Sequence, residues 1–261
     1  MTAAIHATAV VDPKAEIGSD VEIGPYATVG AGVKLAEGVV LHAHACVMGH
    51  TEIGPGSVVY PFAVIGAPPQ DQKFAGEDVR LVIGARNQFR EHTTAHPGTK
   101  EGGGLTSIGN DNLIMVGAHI AHDCVLGNSI ILSNQVMLAG HVTVQDHAVI
   151  QASTGIQQFL RVGEAAFIGG LSGLLQDAPP FCFLQGYPAR VIKVNRVKLE
   201  RIGWDPDRIQ AVEKAFRIIF RSKLKAAEAF ARVREELPDS DEAERLVAFC
   251  ESAERGFARM R

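Results

Sequence analysis

All ten histidines of this chain lie before residue 148, and four of them, His96, His119, His122 and His141, crowd its middle third. An imidazole changes charge near neutral pH and can act as a general base. His122 is followed by Asp123, and His141 is preceded by Gly140. A glycine beside a histidine lets a backbone N–H approach a developing oxyanion with no side chain in the way. These residue types could supply a general base and an oxyanion donor, chemistry that needs no cofactor. The same four histidines could ligate zinc, but no cysteine or carboxylate stands at a spacing that completes the set, so no metal is expected. His6, His42, His44, His50 and His147 read as structural, hydrogen-bonded in turns or on the exterior.

A repeat must bring these separated residues together. From Ile5 to Leu174 a large aliphatic residue recurs at nearly every sixth position, first as Ile5, Val11, Ile17, Ile23 and onward to Ile65. It resumes as Ile108, Ile114, Ile120, Leu126 and runs to Leu174. Six fits neither the helical repeat near 3.6 nor a simple alternation. It fits short strands joined by tight corners, each turning one aliphatic side chain inward, and so a β-solenoid. If three units close a triangular coil, residues 18 apart stack, and one column reads His122, Gly140, Gln158, Gln176. His141 sits one coil on and one residue over, and His96 arrives on the same edge.

Two stretches break the period. Between Ile65 and Ile83 the sixth positions fall on Asp71 and Glu77, which cannot fill an aliphatic interior unpaired. Ile83 and Ile108 lie 25 apart, seven more than one coil, so the segment from His96 to Gly104 is extruded as well. Long loops on a rigid repeat tend to carry function. The solenoid is thus expected over 1–186, with loops near 66–82 and 96–107, and a helical domain over 187–261. After Ala189 the spacing turns helical. Asp205-Pro206 looks like an N-cap followed by Pro at the first helical position, and Ile209, Val212, Phe216, Ile219 and Phe220 mark one face. Two more helices are expected around 223–236 and 241–256.

At 261 residues the chain can bury a sizeable core, and its four cysteines form no CxxC, as expected of reduced thiols. No basic-plus-apolar leader and no long apolar stretch occurs, so a soluble, cytoplasmic protein without membrane insertion is expected. Charge is uneven: residues 1–185 hold 8 basic and 16 acidic side chains, whereas 186–225 hold 11 basic and four acidic. The basic excess is either a solvated helical face or a docking surface for an anionic partner. With a net charge of −4 overall, nucleic acid is not expected as that partner.

Several motifs carry a resemblance. They are Gln70-Asp71, Lys73 and Ala75-Gly76-Glu77 in the first loop and Gly102-Gly103-Gly104-Leu105-Thr106 in the second. Ala118-His119-Ile120-Ala121-His122-Asp123-Cys124, Leu138-Ala139-Gly140-His141 and Gln185-Gly186 complete them. Along essentially its whole length the chain resembles the acyl-[acyl-carrier-protein]–UDP-N-acetylglucosamine O-acyltransferases of lipid A biosynthesis, which are hexapeptide-repeat acyltransferases. The resemblance implies a mainly β fold, a left-handed parallel β-helix with a C-terminal α-helical domain, assembled as a homotrimer with active sites between subunits. It implies transfer of a 3-hydroxyacyl group from acyl carrier protein to the 3-hydroxyl of UDP-N-acetylglucosamine.

In that resemblance His122 is the general base, Asp123 assists or orients it, and the Gly140 backbone amide is the oxyanion donor. Gln70, Asp71, Lys73, His96, His141 and Gln158 line the sugar and acyl clefts. Gly170 stands where acyl length is set, and a glycine there leaves room for a long chain. Asn195 and Arg201 stand near the uridine and diphosphate, where a guanidinium can neutralise phosphate oxygens. The acidic carrier protein would give the basic excess its partner. Two positions depart from the pattern: Gln157 replaces a common histidine, and Val197 an acidic residue. Among rivals, the N-acyltransferase of the same pathway carries an extra N-terminal domain. Coenzyme A-dependent relatives are not expected to bring the 70–77 loop, and a γ-class carbonic anhydrase would need zinc.

Overall fold

The computed structural model describes residues 2–260. Strands of mostly two residues wind into three parallel sheets, which form the faces of a triangular, left-handed prism. Face A has eleven strands, from Ala4–Ile5 to Ala189–Val194; face B has nine, from Val10–Val11 to Gly173–Leu174. Face C has eight, from Glu16–Ile17 to Arg161–Val162. Ala4 pairs with Glu22 and His119 with Met137, so one coil takes 18 residues. In the two-residue strands from Glu22–Ile23 onward the second residue points inward, and Ile23, Leu41, Ile114, Leu132 and Ile150 stack fully buried along face A. Each such burial contributes about 1.5–3 kcal/mol.

The corners explain the rest of the repeat. One residue at most of them adopts a left-handed backbone, as Asp123 (φ 59°), His141 (φ 62°) and Phe159 (φ 64°) do on successive coils. At the corner between faces A and B the rings of Tyr26, His44, Phe62 and His92 stack at centroid spacings of 5.0–5.4 Å.

Both interruptions leave the prism at the corner between faces B and C. Val64 pairs with Thr94 and Thr94 with His119, so the inserts add twelve and seven residues without disturbing the ladder. Strands resume at Arg80 and Leu105, making the excursions 66–79 and 96–104, slightly shorter than the sequence suggested. They are tied to each other by an ion pair of 2.7 Å between Lys73 and Glu101.

The sequence expectation fails just after residue 186. Ala189–Val194 is a strand, not helix: it folds back antiparallel on Cys182–Gly186 and extends face A. Helix α1 (Arg196–Arg201) follows, then α2 (Pro206–Phe216), which runs into a wider turn over 217–221. Helices α3 (Ala226–Glu236) and α4 (Asp241–Glu251) complete the cap. Asp205 and Ser240 cap α2 and α4 by accepting backbone N–H groups. Ile209, Val212 and Phe216 are buried as the helical spacing required. Arg161 joins the cap to the prism, donating to Asp177 and to the Phe249 carbonyl. No disulfide forms among the four cysteines, and no described helix is long and apolar enough to cross a membrane.

Candidate active site

The B–C corner of the coil following the second excursion carries His122 and Asp123. Neighbouring residues in a strand point to opposite sides, so adjacency in sequence does not by itself bring these two together. They are not in a strand: His119–Ile120 ends before them and Val125–Leu126 begins after. The left-handed turn at Asp123 swings both side chains to one side, and His122 Nδ1 lies 2.7 Å from Asp123 Oδ2. That bond assigns the proton to Nδ1 and leaves the Nε2 lone pair free to accept a proton. The Asp123 side chain is 1 % exposed and that of His122 18 %, so the carboxylate is sequestered while the imidazole is reachable.

Asp123 is held from several directions. Its Oδ1 accepts the Thr99 N–H at 2.8 Å, its Oδ2 the Thr99 hydroxyl at 2.7 Å, and its own N–H donates to Thr106 Oγ1. His141 Nε2 approaches Oδ2 at 3.6 Å. On the next coil Gly140 faces the His122 ring so closely that a Cβ there would lie 2.5 Å from Cε1 and 2.8 Å from Nε2. The Gly140 N–H has no acceptor among the described residues, so it is available to a ligand. The His141 ring meets that of His122 edge-on and stacks on Phe159 at 4.3 Å. Phe159 in turn lies under Arg255, 4.9 Å away.

Other expected residues are brought near with roles the sequence did not show. His96 is buried and uses Nδ1 to hold the Ala67 and Pro68 carbonyls at the root of the first excursion. Its Nε2 has no hydrogen-bond partner among the described residues. His119 bonds Thr94 Oγ1 through Nδ1 at 2.8 Å. Burial, reinforced by His96 and then His122, lowers its pKa from 6.5 to about 4, so it is neutral at pH 7. Asp71 accepts the Lys73 N–H, closing a turn within the first excursion, where Gln70 is exposed. Gln158, also exposed, stacks one coil beyond Gly140, and its carbonyl faces Arg255. The thiol of Cys124, next to the site, is pushed up by burial to about 12 and offers no thiolate nucleophile.

Three expected residues do not meet His122 within the chain. Gly170 lies at the A–B corner, between Phe167–Ile168 and Gly173–Leu174. Asn195 and Arg201 line a cleft of about 1340 Å³ between face A and the helical cap, on the side of the prism opposite the B–C corner. Asn195 also donates to the Ala165 carbonyl. The cleft has an apolar floor of Met115, Ile131, Val149 and Phe167 and a wall of Lys193, Lys198, Arg201, Arg217 and Arg221. Burial, and then Arg201, lower the Lys198 pKa, a strain that a bound anion would relieve. Not all of the basic excess is free: Arg196 pairs with Glu200 and Glu213, Arg208 with Glu242, and Lys214 with Glu236.

A metal reading has more geometry than the sequence suggested. His122, Asp123 and His141 each offer a donor atom within 4.8 Å of the others. Within this group Nδ1 of His122 is bonded to Asp123, and Oδ2 of Asp123 also accepts from Thr99. Thr99, Thr94, His119, Phe159 and Arg255 join the site by folding of the second excursion, by lateral pairing on face B and by packing of the cap.

Comparison with known proteins gives one answer along the chain. Residues 177–258 match a family profile described as UDP N-acetylglucosamine O-acyltransferase, domain 2. An acyl-[acyl-carrier-protein]–UDP-N-acetylglucosamine O-acyltransferase of Thermodesulfovibrio yellowstonii is 45 % identical over 98 % of this chain and 99 % of its own. The enzyme of that name from an Anaeromyxobacter species is 43 % identical, over 98 % and 100 %. A crystal structure of a UDP-N-acetylglucosamine acyltransferase from Bacteroides fragilis superposes with a TM-score of 0.95. It is 37 % identical and covers 98 % of this chain and 100 % of its own. With this identity running the full length of prism and cap, the chain belongs to the acyl-[acyl-carrier-protein]–UDP-N-acetylglucosamine O-acyltransferase family.

Proposed function

We propose that the protein transfers a (R)-3-hydroxyacyl group from acyl carrier protein to the 3-hydroxyl of UDP-N-acetylglucosamine, the first step of lipid A biosynthesis, in the cytoplasm. The observation that carries the mechanism is the 2.7 Å bond from His122 Nδ1 to Asp123, which leaves Nε2 free beside Gly140. Nε2 takes the proton of the sugar 3-hydroxyl as its oxygen attacks the thioester carbonyl. The carbonyl oxygen becomes an oxyanion, and the Gly140 N–H donates to it. When the tetrahedral intermediate collapses, the C–S bond breaks and the carrier thiolate leaves. The proton held on Nε2 returns to that sulfur, and Asp123 stabilises the imidazolium in between.

Recognition is assigned to the remaining residues. Asp71, Lys73, Gln70, His96, His141 and Gln158 line the sugar and acyl path, while Asn195 and Arg201 take the uridine and diphosphate. Gly170 leaves room for a long acyl chain. Because Gly170, Asn195 and Arg201 lie away from His122 in one chain, the site is completed between subunits of a homotrimer. The free cations above face A are the docking surface for the acidic carrier protein.

The test is acyl transfer from 3-hydroxyacyl carrier proteins of several chain lengths to UDP-N-acetylglucosamine, with His122→Ala alongside. Transfer by the wild type that collapses in the variant is expected. No transfer at any length by folded protein would overturn the reading and direct attention to coenzyme A thioesters.

A further inference from the structure

We infer that Thr99 is a positioning residue for this reaction, acting through Asp123; the inference rests on His122 being the base. An aspartate carboxylate turns easily about its last torsion, and one bond to an imidazole does not fix its plane. Thr99 fixes it at two points, with its N–H on Oδ1 and its hydroxyl on Oδ2, the same oxygen that His122 uses. The Gly102 N–H donates to the Thr99 hydroxyl oxygen at 3.2 Å, which leaves the hydroxyl proton for Asp123.

The second excursion is shaped for this contact. A Cβ on Gly102 would lie 2.1–2.3 Å from the Asp123 carboxylate atoms, and one on Gly98 would lie 2.1 Å from the Leu105 nitrogen. Only glycine at both positions lets the strap lie flat across the carboxylate. The titratable groups facing Asp123 are His122, His141 and the neutral Cys124 thiol, and among the described residues no lysine or arginine pairs with it. A buried carboxylate without a cationic side chain depends on hydrogen bonds for its partners and its orientation. Thr99 supplies two of them.

Thr99→Val keeps the side-chain shape and removes the hydroxyl, whereas Thr99→Ser keeps the hydroxyl and removes the methyl. The valine variant is expected to lose about ten- to a hundredfold in kcat with little change in KM, and the serine variant to recover most of it. In an Asp123→Asn background the valine change should cost nothing further. Long-range 1H–15N NMR of His122, which needs no acyl donor, should show one Nδ1–H tautomer in wild type and serine variant and a mixture in the valine variant. Full kcat in the valine variant would overturn the inference, as would a loss that serine does not restore, an equal loss in the asparagine background or an unchanged tautomer. A wild type that keeps the single tautomer yet transfers no acyl group would remove the assigned reaction and leave the hold of Thr99 on Asp123 standing.

Discussion

The B–C corner at His122 and the cleft above face A are built on opposite principles. At the corner the groups are short-range, mutually bonded and largely withdrawn from solvent, with Asp123 gripped by Thr99 and His119 kept neutral by burial. The cleft is wide, floored with aliphatic and aromatic side chains, and walled by cations, of which Arg196 is paired with Glu200 and Glu213 while Lys193, Lys198, Arg201, Arg217 and Arg221 have no acidic partner among the described residues. The first arrangement fixes one imidazole nitrogen to a fraction of an ångström. The second offers a broad apolar floor beside a cluster of positive charge. Within one chain the proposed chemistry and the proposed nucleotide and carrier-protein contacts thus lie apart, and substitutions in the two regions should fail in different ways.

The sharpest contrast should come from His122→Ala, which removes the base and is expected to lower kcat about 10³-fold while thermal melting stays close to wild type. An intact rate would dissolve the distinction altogether. Gly140→Ala should follow, at about 10²-fold in kcat, because its Cβ would press on the His122 ring and crowd the oxyanion position. In the cleft, Arg201→Ala should spare kcat and raise the KM for the nucleotide sugar about tenfold. Steady-state assays across ionic strength should also show the wild-type KM for the acyl carrier protein rising with salt. A kcat defect in Arg201→Ala would tie the two regions more tightly than proposed.

The smallest effect concerns stability. The folded-state pKa of His119 lies below that of the unfolded chain, so the unfolded state binds the extra proton first. Stability present above about pH 6.5 should therefore fall as pH drops toward 4, and no further loss should come from this group below that. Melting curves of His119→Gln against wild type should show a shallower decline across that window. Identical slopes would mean that burial of His119 leaves its proton affinity unchanged.

Much of this was legible because a repeat converts sequence distance into spatial distance. The aliphatic period gave the strands, and stacking every 18 residues placed Gly140 over His122. Where the period stops, so does the legibility. Adjacency alone does not establish that His122 and Asp123 cooperate, because neighbours in a strand point oppositely, and it is a single left-handed residue that turns both to one side. Thr99 could not be found, because the path of an extruded strap follows no register. The strand Ala189–Val194 read as helical, since nothing local records that Cys182–Gly186 is there to pair with it. Asn195 and Arg201, named by resemblance, sit on the far side of the prism, and no spacing rule connects them to His122.

Three successive turns of the prism use one corner in three ways: two let the chain out, at 66–79 and 96–104, and the third holds His122 and Asp123. The ladder above and below closes as though nothing had been inserted. Lengthening such an outlet costs little more than loop closure, about 0.6 kcal/mol for each doubling. Nothing in the stacked interior has to move. The corner therefore works as a socket: segments of new length and composition can be fitted beside an unchanged base, and selectivity can drift while the reaction stays where it is.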